Sequence, residues 1–271
     1  MESLYLDANL RLESTHPLAD ANHAILGVPA DYTQTSRVGA RHGPLEIRRA
    51  FLELEKNWDE ISFHDLGDIV PVLGDMRKTC ERLATLLSEV KAESSAIPIL
   101  LGGEHTISWG AVKTLKPEVV VWLDAHADVK DEYLDQKFCH ASVARRILED
   151  FNLELIQVGV RSKSKDEEAY GEKEGVQQFN AGDIKEIKNK IRDKKIYVST
   201  DLDVLNPSAA PGVGNPEPGG LSFNTLTSLY HTILESSTVV GADLVEACPE
   251  LDDGQTATIT ANLLLQILTS K

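Results

Sequence analysis

Short apolar runs of strand length alternate along this chain with segments of helical periodicity, and this alternation limits the possible folds more than any other feature. The runs are rich in β-branched residues and comprise HAILGVP (23–29), IPILLGG (97–103), VVVWLDAH (119–126), LELIQVGVR (153–161), KIYVSTDLD (195–203) and VVGADLVEA (239–247). Apolar residues recur at steps of three and four in the intervening segments 44–58, 76–93, 141–150, 184–193 and 223–236. Apolar strands that alternate with helices are typical of a parallel sheet with helices on both faces, because each connection must cross back over the sheet. We therefore predict a doubly wound α/β fold, a three-layer αβα sandwich with a mostly parallel central sheet.

The 271 residues contain no linker rich in Pro, Gly, Ser or charge, so we expect a single domain over residues 1–271. Apolar residues make up 42% of the chain and charged residues 26%, which is enough apolar material for a large core. We expect neither a signal peptide nor a membrane span, since no apolar run approaches roughly 20 residues. Three scattered cysteines, Cys80, Cys139 and Cys248, fit a reducing compartment, and we expect a cytoplasmic protein.

The formal net charge is −16, which opposes binding to the phosphate backbone of nucleic acids and favours small cationic partners. Solubility is enough to explain the total. Only the placement of individual carboxylates therefore carries functional information.

Polar clusters close four of the apolar runs: GGEH (102–105), DAHAD (124–128), STDLD (199–203) and VEACPE (245–250). In doubly wound sheets, ligands bind outside the carboxyl ends of the strands. Asp124, His126 and Asp128 alternate, as do Asp201 and Asp203, so each set can point one way if the strand geometry continues to its end. A single D-x-D at a strand end is more often a helix cap or a turn. Two such pairs together with two histidines favour a shared site.

A cation is the simplest partner for carboxylates that are buried side by side. Four carboxylates and two imidazoles, without a thiolate at matching spacing, suit hard divalent ions such as manganese, and less exclusively zinc or iron. His105 supplies the second imidazole after Gly102 and Gly103, although glycines after a strand are more often only turns. Six ligands are enough for two ions, which can together lower the pKa of one water. The sequence therefore predicts a hydrolase.

Taken together, these motifs resemble those of the ureohydrolases, the family of arginase and agmatinase, over nearly the whole chain. The similar segments are GVPADY (27–32), GARHGPLEIRRA (39–50), LGGEHTIS (101–108), DAHADVKDEY (124–133), STDLDVLNPSAAPGVGNPEPGG (199–220) and DLVEACPELDDGQTA (243–257). The chain is most similar to agmatinase. The resemblance implies an arginase-like fold, hydrolysis of a guanidino compound, two Mn²⁺ ions per subunit and a homo-oligomer, either a trimer or a hexamer.

The same resemblance implies six metal ligands: His105, Asp124, His126, Asp128, Asp201 and Asp203. Asp124 and Asp201 would bridge the ions, and Asp128 would also steady the departing amine. His140 matches a histidine proposed to relay protons, and Glu246 matches the carboxylate that binds the guanidinium. These roles agree with the chemistry, because a guanidinium carbon needs a strong nucleophile, a positioned cation and protonation of the leaving amine. Without the metal cluster, His140 would be interpreted as a helix-start residue and Glu246 as part of a buried ion pair.

One position departs from the family pattern, since Asn206 stands before Pro207 where a third acid is usual. That position is not a ligand in the family, but the missing charge would change how the ligands are oriented. Asn206 supports one alternative, a metal-binding paralogue whose catalysis has lapsed. A two-metal phosphoesterase is another alternative, although such enzymes begin with D-x-H and continue to G-N-H, whereas here LGGEH precedes DAHAD and no G-N-H occurs.

The loop VKDEYLDQKFCH (129–140) bears on the substrate. Arginases meet the α-carboxylate of arginine with Asn-Thr after the DAHxD motif and Ser-Gly-Asn before the histidine, and this chain has neither. Asp131, Glu132 and Asp135 would repel a carboxylate and favour a second cationic group, although a short charge run is usually only solvated. Lys130 can pair with a carboxylate, which leaves guanidinobutyrase and arginase activities open. We predict hydrolysis of agmatine to putrescine and urea, a step of polyamine biosynthesis.

Overall fold

One nine-stranded sheet holds all the strands in the part of the chain that this computed structural model describes, residues 6–7, 10–58 and 61–269. The strands are β1 (Leu6–Asp7), β2 (His23–Val28), β3 (Phe63–Ile69), β4 (Ile97–Gly102), β5 (Val119–Leu123), β6 (Glu154–Val158), β7 (Gln177–Phe179), β8 (Lys195–Asp201) and β9 (Thr238–Val245). Their order across the sheet is β1-β3-β2-β4-β9-β8-β5-β6-β7. All neighbours are parallel except β1, which is antiparallel to β3. The predicted mostly parallel sheet is confirmed.

Helices cover both faces of this sheet. They are α1 (Gly43–Glu53), α2 (Met76–Glu93), α3 (Ser108–Leu115), α4 (Val143–Asp150), α5 (Lys165–Glu174), α6 (Ile184–Ile191), α7 (Phe223–Ser236) and α8 (Gln255–Thr269). Val121 and Leu123 of β5 pack in a core with α1, α6, α7 and α8, whereas Val120 and Trp122 pack in a second core with α2, α3 and α4. The alternation of strand side chains thus produces the predicted three layers. Within the described ranges, no helix has the length and apolarity required to cross a bilayer.

Strand β3 lies outside the predicted segments, because two acids interrupt its apolar pattern. Asp65 and Asp68 are both buried, and the fully buried guanidinium of Arg48 from α1 pairs with them at 2.8 and 2.6 Å. A charge is tolerated in an interior when it is paired and hydrogen-bonded in this way. The partner is distant in sequence, so the pattern around β3 alone does not reveal it. The short strands β1 and β7 and the helices α3, α5 and α8 also lie outside the predicted segments.

The four central strands end in register. Leu101 of β4 pairs with Leu244 of β9, Leu244 with Thr200 of β8, and Thr200 with Leu123 of β5. The chain therefore leaves the sheet at four adjacent points along its carboxyl edge. The polar clusters GGEH, VEACPE, STDLD and DAHAD follow these strands, so the register brings them together as the sequence predicts.

Candidate metal centre

His105 points one ring nitrogen at three carboxylates. Its Nδ1 atom lies 3.1 Å from Asp124 Oδ2, 3.4 Å from Asp128 Oδ2 and 3.4 Å from Asp201 Oδ2. All four side chains are buried. The Nδ1 atom is closed off from solvent and has no well-aligned hydrogen-bond partner among the described residues. A buried nitrogen that faces several carboxylate oxygens in this way fits a divalent cation bound between them.

A second acid–histidine group lies beside the first. His126 Nδ1 is 2.9 Å from Asp203 Oδ2 and 3.5 Å from Asp124 Oδ1. In the described part of the chain, the potential ligand atoms form two groups, one with His105, Asp124 and Asp128 and one with Asp124, His126 and Asp203. Asp124 belongs to both. The arrangement therefore fits two ions that share a carboxylate, and its oxygen and imidazole donors suit hard to borderline divalent metals.

Crowding of the carboxylates shifts their protonation. Burial, together with the charge of Asp124, raises the pKa of Asp128 to about 7. Burial and the neighbouring acids also raise the pKa of Asp201 and Asp203. Each shift reflects the free-energy cost of holding negative charges close together away from water. A bound cation removes that cost, so the electrostatics agree with the geometry.

Side chains around His105 fix the orientation of its ring. Trp122 stacks on the imidazole with ring centroids 3.9 Å apart, and its Nε1 atom donates to Asp124 Oδ2 at 2.9 Å. On the other side of the ring, His105 Nε2 lies 2.8 Å from Ser199 Oγ, which donates to buried Asp243 at 2.8 Å. These contacts leave Nδ1 directed at the carboxylates. The sequence analysis did not identify Trp122, Ser199 or Asp243, although each lies within four residues of a predicted site residue.

Two of the predicted site residues have left-handed backbone conformations, with φ of +52° at Asp128 and +66° at Glu246. Such values are uncommon outside glycine, cost of order 1–3 kcal/mol and cluster at functional sites. The position of Asp128 also corrects one prediction, namely that strand geometry continues through Asp128 and aligns it with Asp124. Strand β5 ends at Leu123, so an irregular segment, and not a continuing strand, brings Asp128 beside Asp124.

Glu246 is buried next to the two groups without belonging to either. Its Oε1 accepts from the His105 backbone N–H at 2.8 Å, and its Oε2 accepts from Gln34 Nε2 at 2.6 Å. Gln34 is held in turn by the backbone N–H of Gly39, at 3.1 Å. Burial raises the pKa of Glu246 to about 8. The side chain is therefore a positioned carboxylate whose ionised form would be stabilised by a cationic ligand.

His140 begins the short 3-10 turn that precedes α4, and it lines the same cavity. Its backbone N–H donates to Thr33 Oγ1 at 3.2 Å, and Thr33 is bound through its backbone N–H and its hydroxyl to buried Glu104, at 2.6 and 2.5 Å. Burial, followed by the nearby positive charges of His105 and His126, lowers the pKa of His140 to about 4. The imidazole is therefore neutral at physiological pH.

A cavity of about 510 Å³ opens above these groups. Of the predicted site residues, the seven that line it are His105, His126, Asp128, His140, Asp201, Asp203 and Glu246, whereas Asp124 is fully buried beneath them. Three residues of the loop 129–140 line the wall of this cavity: Lys130, Tyr133 and His140. Lys130 is already paired with Glu167 at 2.7 Å.

The predicted role of the loop acids is not reproduced. Asp131 pairs with Arg145 at 3.1 Å and with Arg146 at 3.3 Å, and it lines a separate, smaller cavity. The two arginines of α4 draw its carboxylate away from the site. Glu132 and Asp135 are exposed and do not line the main cavity.

Asn206 is also removed from the acid–histidine groups. Its Oδ1 atom accepts from Ser208 N at 2.9 Å and from Ser208 Oγ at 2.7 Å. The side chain therefore closes a local turn, which is a common use of asparagine. In the described contacts it touches none of the predicted ligands.

A mostly parallel α/β sheet whose carboxyl edge carries two acid–histidine groups with a shared aspartate fits a metal-dependent hydrolase. Residues 21–269 match the sequence model of the arginase family. The chain belongs to this family, whose members use a binuclear metal centre to hydrolyse guanidino compounds.

Individual relatives agree with the family match. The N(1)-aminopropylagmatine ureohydrolase of Thermococcus kodakarensis is 39% identical over 280 residues, and the alignment covers 97% of this chain and 96% of that protein. The agmatinase of Halalkalibacterium halodurans is 33% identical over 254 residues, with 88% of each chain covered. Among solved structures, the agmatine ureohydrolase of Thermoplasma volcanium is similar with a TM-score of 0.85 and 30% identity, covering 95% of this chain and 92% of that one.

Proposed function

We propose that this protein hydrolyses agmatine to putrescine and urea with two Mn²⁺ ions bound. The observation that carries the proposal is the position of Glu246, a buried carboxylate outside the two acid–histidine groups, in the same cavity as those groups. A guanidinium held by this carboxylate would lie beside the metal centre. Putrescine formed in this way would supply polyamine biosynthesis.

The residues proposed to hold the ions are His105, Asp124, His126, Asp128, Asp201 and Asp203. Asp124 is proposed as a bridging ligand because each of its two oxygens faces a different histidine. The resemblance to ureohydrolases supports Asp201 as the second bridge; its Oδ2 faces His105, and its Oδ1 accepts from the Asp203 backbone N–H at 2.8 Å. When bound, the two ions would lower the pKa of a shared water so that it attacks at neutral pH. Manganese is favoured because no thiolate belongs to either group.

The remaining steps are assigned to side chains that line the cavity. Glu246 would bind and orient the guanidinium, because its two oxygens still have lone pairs beyond the bonds from His105 N and Gln34. Asp128 would accept a hydrogen bond from the departing amine. His140 is neutral, with its Nδ1 3.5 Å from Thr33 Oγ1, so its Nε2 would first accept the proton released by the attacking water and then pass it to that amine.

Agmatine is favoured over arginine because the described cavity presents no unpaired basic side chain for an α-carboxylate. Lys130 pairs with Glu167 at 2.7 Å, and Lys163 pairs with Glu168 at 3.2 Å. A second candidate is agmatine extended by an aminopropyl group on its amine. The cavity of about 510 Å³ and the 39% identity to the Thermococcus kodakarensis enzyme favour this candidate.

Urea release from a panel of guanidino compounds tests the proposal. Protein freed of metal with a chelator and reloaded with manganese is expected to release urea from agmatine or its aminopropyl derivative at least about tenfold faster than from arginine or guanidinobutyrate, since an uncompensated carboxylate costs more than about 1.4 kcal/mol. Metal-free protein is the control. Faster release from arginine would overturn the substrate assignment, and cleavage of a chromogenic phosphate ester without any urea release would favour a phosphoesterase.

Asn206→Asp distinguishes an active enzyme from a lapsed paralogue. Aspartate can accept the same two bonds from Ser208, so we expect manganese content and kcat/KM for agmatine to change by less than about twofold. Metal analysis and the urea assay measure both quantities. A gain of activity by tenfold or more would show that the missing charge limits this enzyme.

The resemblance to ureohydrolases also supports a homo-oligomer, a trimer or hexamer, in the cytoplasm, with residues 1–271 forming one domain. Light scattering of the purified protein measures its oligomeric state. A monomer at micromolar concentration would contradict it.

A further inference from the structure

Glu217 lies at the mouth of the cavity, on the outer side of His126. Its Oε1 atom is 3.5 Å from His126 Nε2, whereas the other ring nitrogen of His126 faces Asp203 and Asp124. The Glu217 side chain is 34% exposed, and Glu246 is only 4% exposed. The two glutamates therefore stand at different depths of one cavity, one at its mouth and one at its floor.

Among the residues that the structure describes, no lysine or arginine pairs with the carboxylate of Glu217. The lysines on the same wall are engaged by other acids, Lys130 by Glu167 and Lys163 by Glu168. Within the described ranges, the ion-pair contact of Glu217 is with His126 alone. Its length of 3.5 Å exceeds the 2.7–3.2 Å of a normal N–H···O hydrogen bond, so the carboxylate can still bind a cation.

The segment that carries Glu217 is fastened to the metal centre. The guanidinium of Arg161 donates to the backbone carbonyls of Asp203 at 2.7 Å and of Glu217 at 3.1 Å. Its Nε atom donates to the Pro218 carbonyl at 3.1 Å. Just beyond, Gly220 has φ of +98°, and a Cβ there would come within 2.7 Å of the Leu205 backbone. Glu217 is thus held at a fixed place relative to Asp203, which lowers the entropic cost of binding a ligand.

The proposed substrate carries a positive charge at each end. Agmatine has a guanidinium at one end and an ammonium at the other, joined by four methylenes. The two nitrogens that flank the four methylenes are five bonds apart and about 6 Å from each other in an extended chain, since three backbone bonds extend about 3.3–3.6 Å. A guanidinium bound by Glu246 at the floor would therefore direct the ammonium outward along the cavity, towards its mouth.

We propose that Glu217 binds the distal amine of the substrate and so determines specificity for a guanidino compound with a second positive charge. The inference rests on the proposed guanidino hydrolysis. It assigns to Glu217 the role that the sequence analysis gave to the acids of loop 129–140.

Glu217→Gln, with agmatine and n-pentylguanidine as paired substrates, tests this assignment. Pentylguanidine has a methyl group where agmatine has its ammonium, so it lacks only the charge that Glu217 is proposed to bind. We expect the KM for agmatine to rise about tenfold, with kcat and manganese content unchanged and the kcat/KM for pentylguanidine within about twofold of wild type. Glu235→Gln is the matched control, because Glu235 is an exposed acid that also pairs with a histidine, His231 at 3.2 Å, and does not line the cavity. It is expected to behave as wild type with both substrates.

Three results would overturn the assignment. An unchanged KM for agmatine would remove Glu217 from substrate binding. An equal loss with both substrates would mean that Glu217 acts on the chemistry, and a loss of manganese would mean that it acts through His126. If the wild-type protein releases urea from neither compound, the proposed hydrolysis fails, and calorimetric titration of agmatine into the manganese-loaded protein then decides the role of Glu217. Binding that Glu217→Gln weakens about tenfold would support it, whereas equal binding would refute it.

Discussion

Replacing Asp124 by alanine is expected to strip manganese from the protein and to lower kcat for urea release by at least about 10³-fold, because the bound ions supply several kcal/mol of transition-state stabilisation. Within the described residues, Asp124 is the member shared by both acid–histidine groups, so each group loses an oxygen donor. The acids that stay behind would repel one another. Mass-spectrometric metal analysis and a urea assay measure the two effects. Normal metal content together with normal turnover would contradict a binuclear centre.

Two further variants separate loss of metal from loss of fold. Asp124 also accepts hydrogen bonds from Trp122 Nε1 at 2.9 Å and from His126 N at 2.6 Å, so alanine leaves two donors unpaired. Asp124→Asn keeps the shape and one acceptor, and it is expected to lose metal while its circular dichroism spectrum stays that of wild type. Asp131→Ala is the control. Asp131 lies seven residues after Asp124 and forms an exposed pair with Arg145, so its replacement should keep the metal content and the turnover within about twofold of wild type.

Glu246→Gln is expected to lower kcat/KM for agmatine about 10²–10³-fold while leaving the manganese content unchanged. The substitution removes the charge that faces the guanidinium, and loss of one partner of a buried charge pair typically costs about 3–5 kcal/mol. The metal should stay because Glu246 belongs to neither acid–histidine group among the described residues. Steady-state kinetics and metal analysis of the same preparation give both numbers.

Glu250→Gln is the matched control for this experiment. Glu250 is exposed, lies four residues further along the same segment and pairs at 3.5 Å with His42 on the surface. Its replacement should alter neither quantity, since single surface pairs contribute about 0–1 kcal/mol. If Glu246→Gln lost metal to the same extent as Asp124→Asn, Glu246 would have to be reassigned to the metal shell.

The sequence predicts the parts of this molecule whose signal is local. Strand β5 is a run of five apolar residues and is followed at once by Asp124, so both the strand and the acid at its end are evident from one short segment. The same holds for β8 with Asp201 and Asp203. The parallel order of such strands then places their ends on one edge, which is why six residues from three separate segments could be assigned to one site.

Contacts between distant segments carry the features that the sequence analysis did not predict. Gln34 binds Glu246 across a separation of 212 residues, and Thr33 reaches His140 across 107 residues. Neither side chain has a local pattern that marks it. The acids of loop 129–140 show the converse case, a predicted role that the contacts do not support. Asp131 follows the DAHAD motif closely in sequence, but its carboxylate pairs with Arg145 and Arg146 of α4. Charge in a sequence becomes informative only when its partners are known.

The register of the four central strands bears on how stable the protein is in a cell. The segments that meet at the carboxyl edge leave the sheet after Gly102, Leu123, Asp201 and Val245, so they are neighbours only once the chain has folded almost from end to end. An unfolded chain has no comparable site, and an ion present at about a hundred times its Kd would stabilise the native state by about 2.7 kcal/mol. That is a large share of the roughly 5–15 kcal/mol that separates folded from unfolded domains. Metal supply would therefore govern how much of this enzyme escapes degradation as well as how fast each copy works.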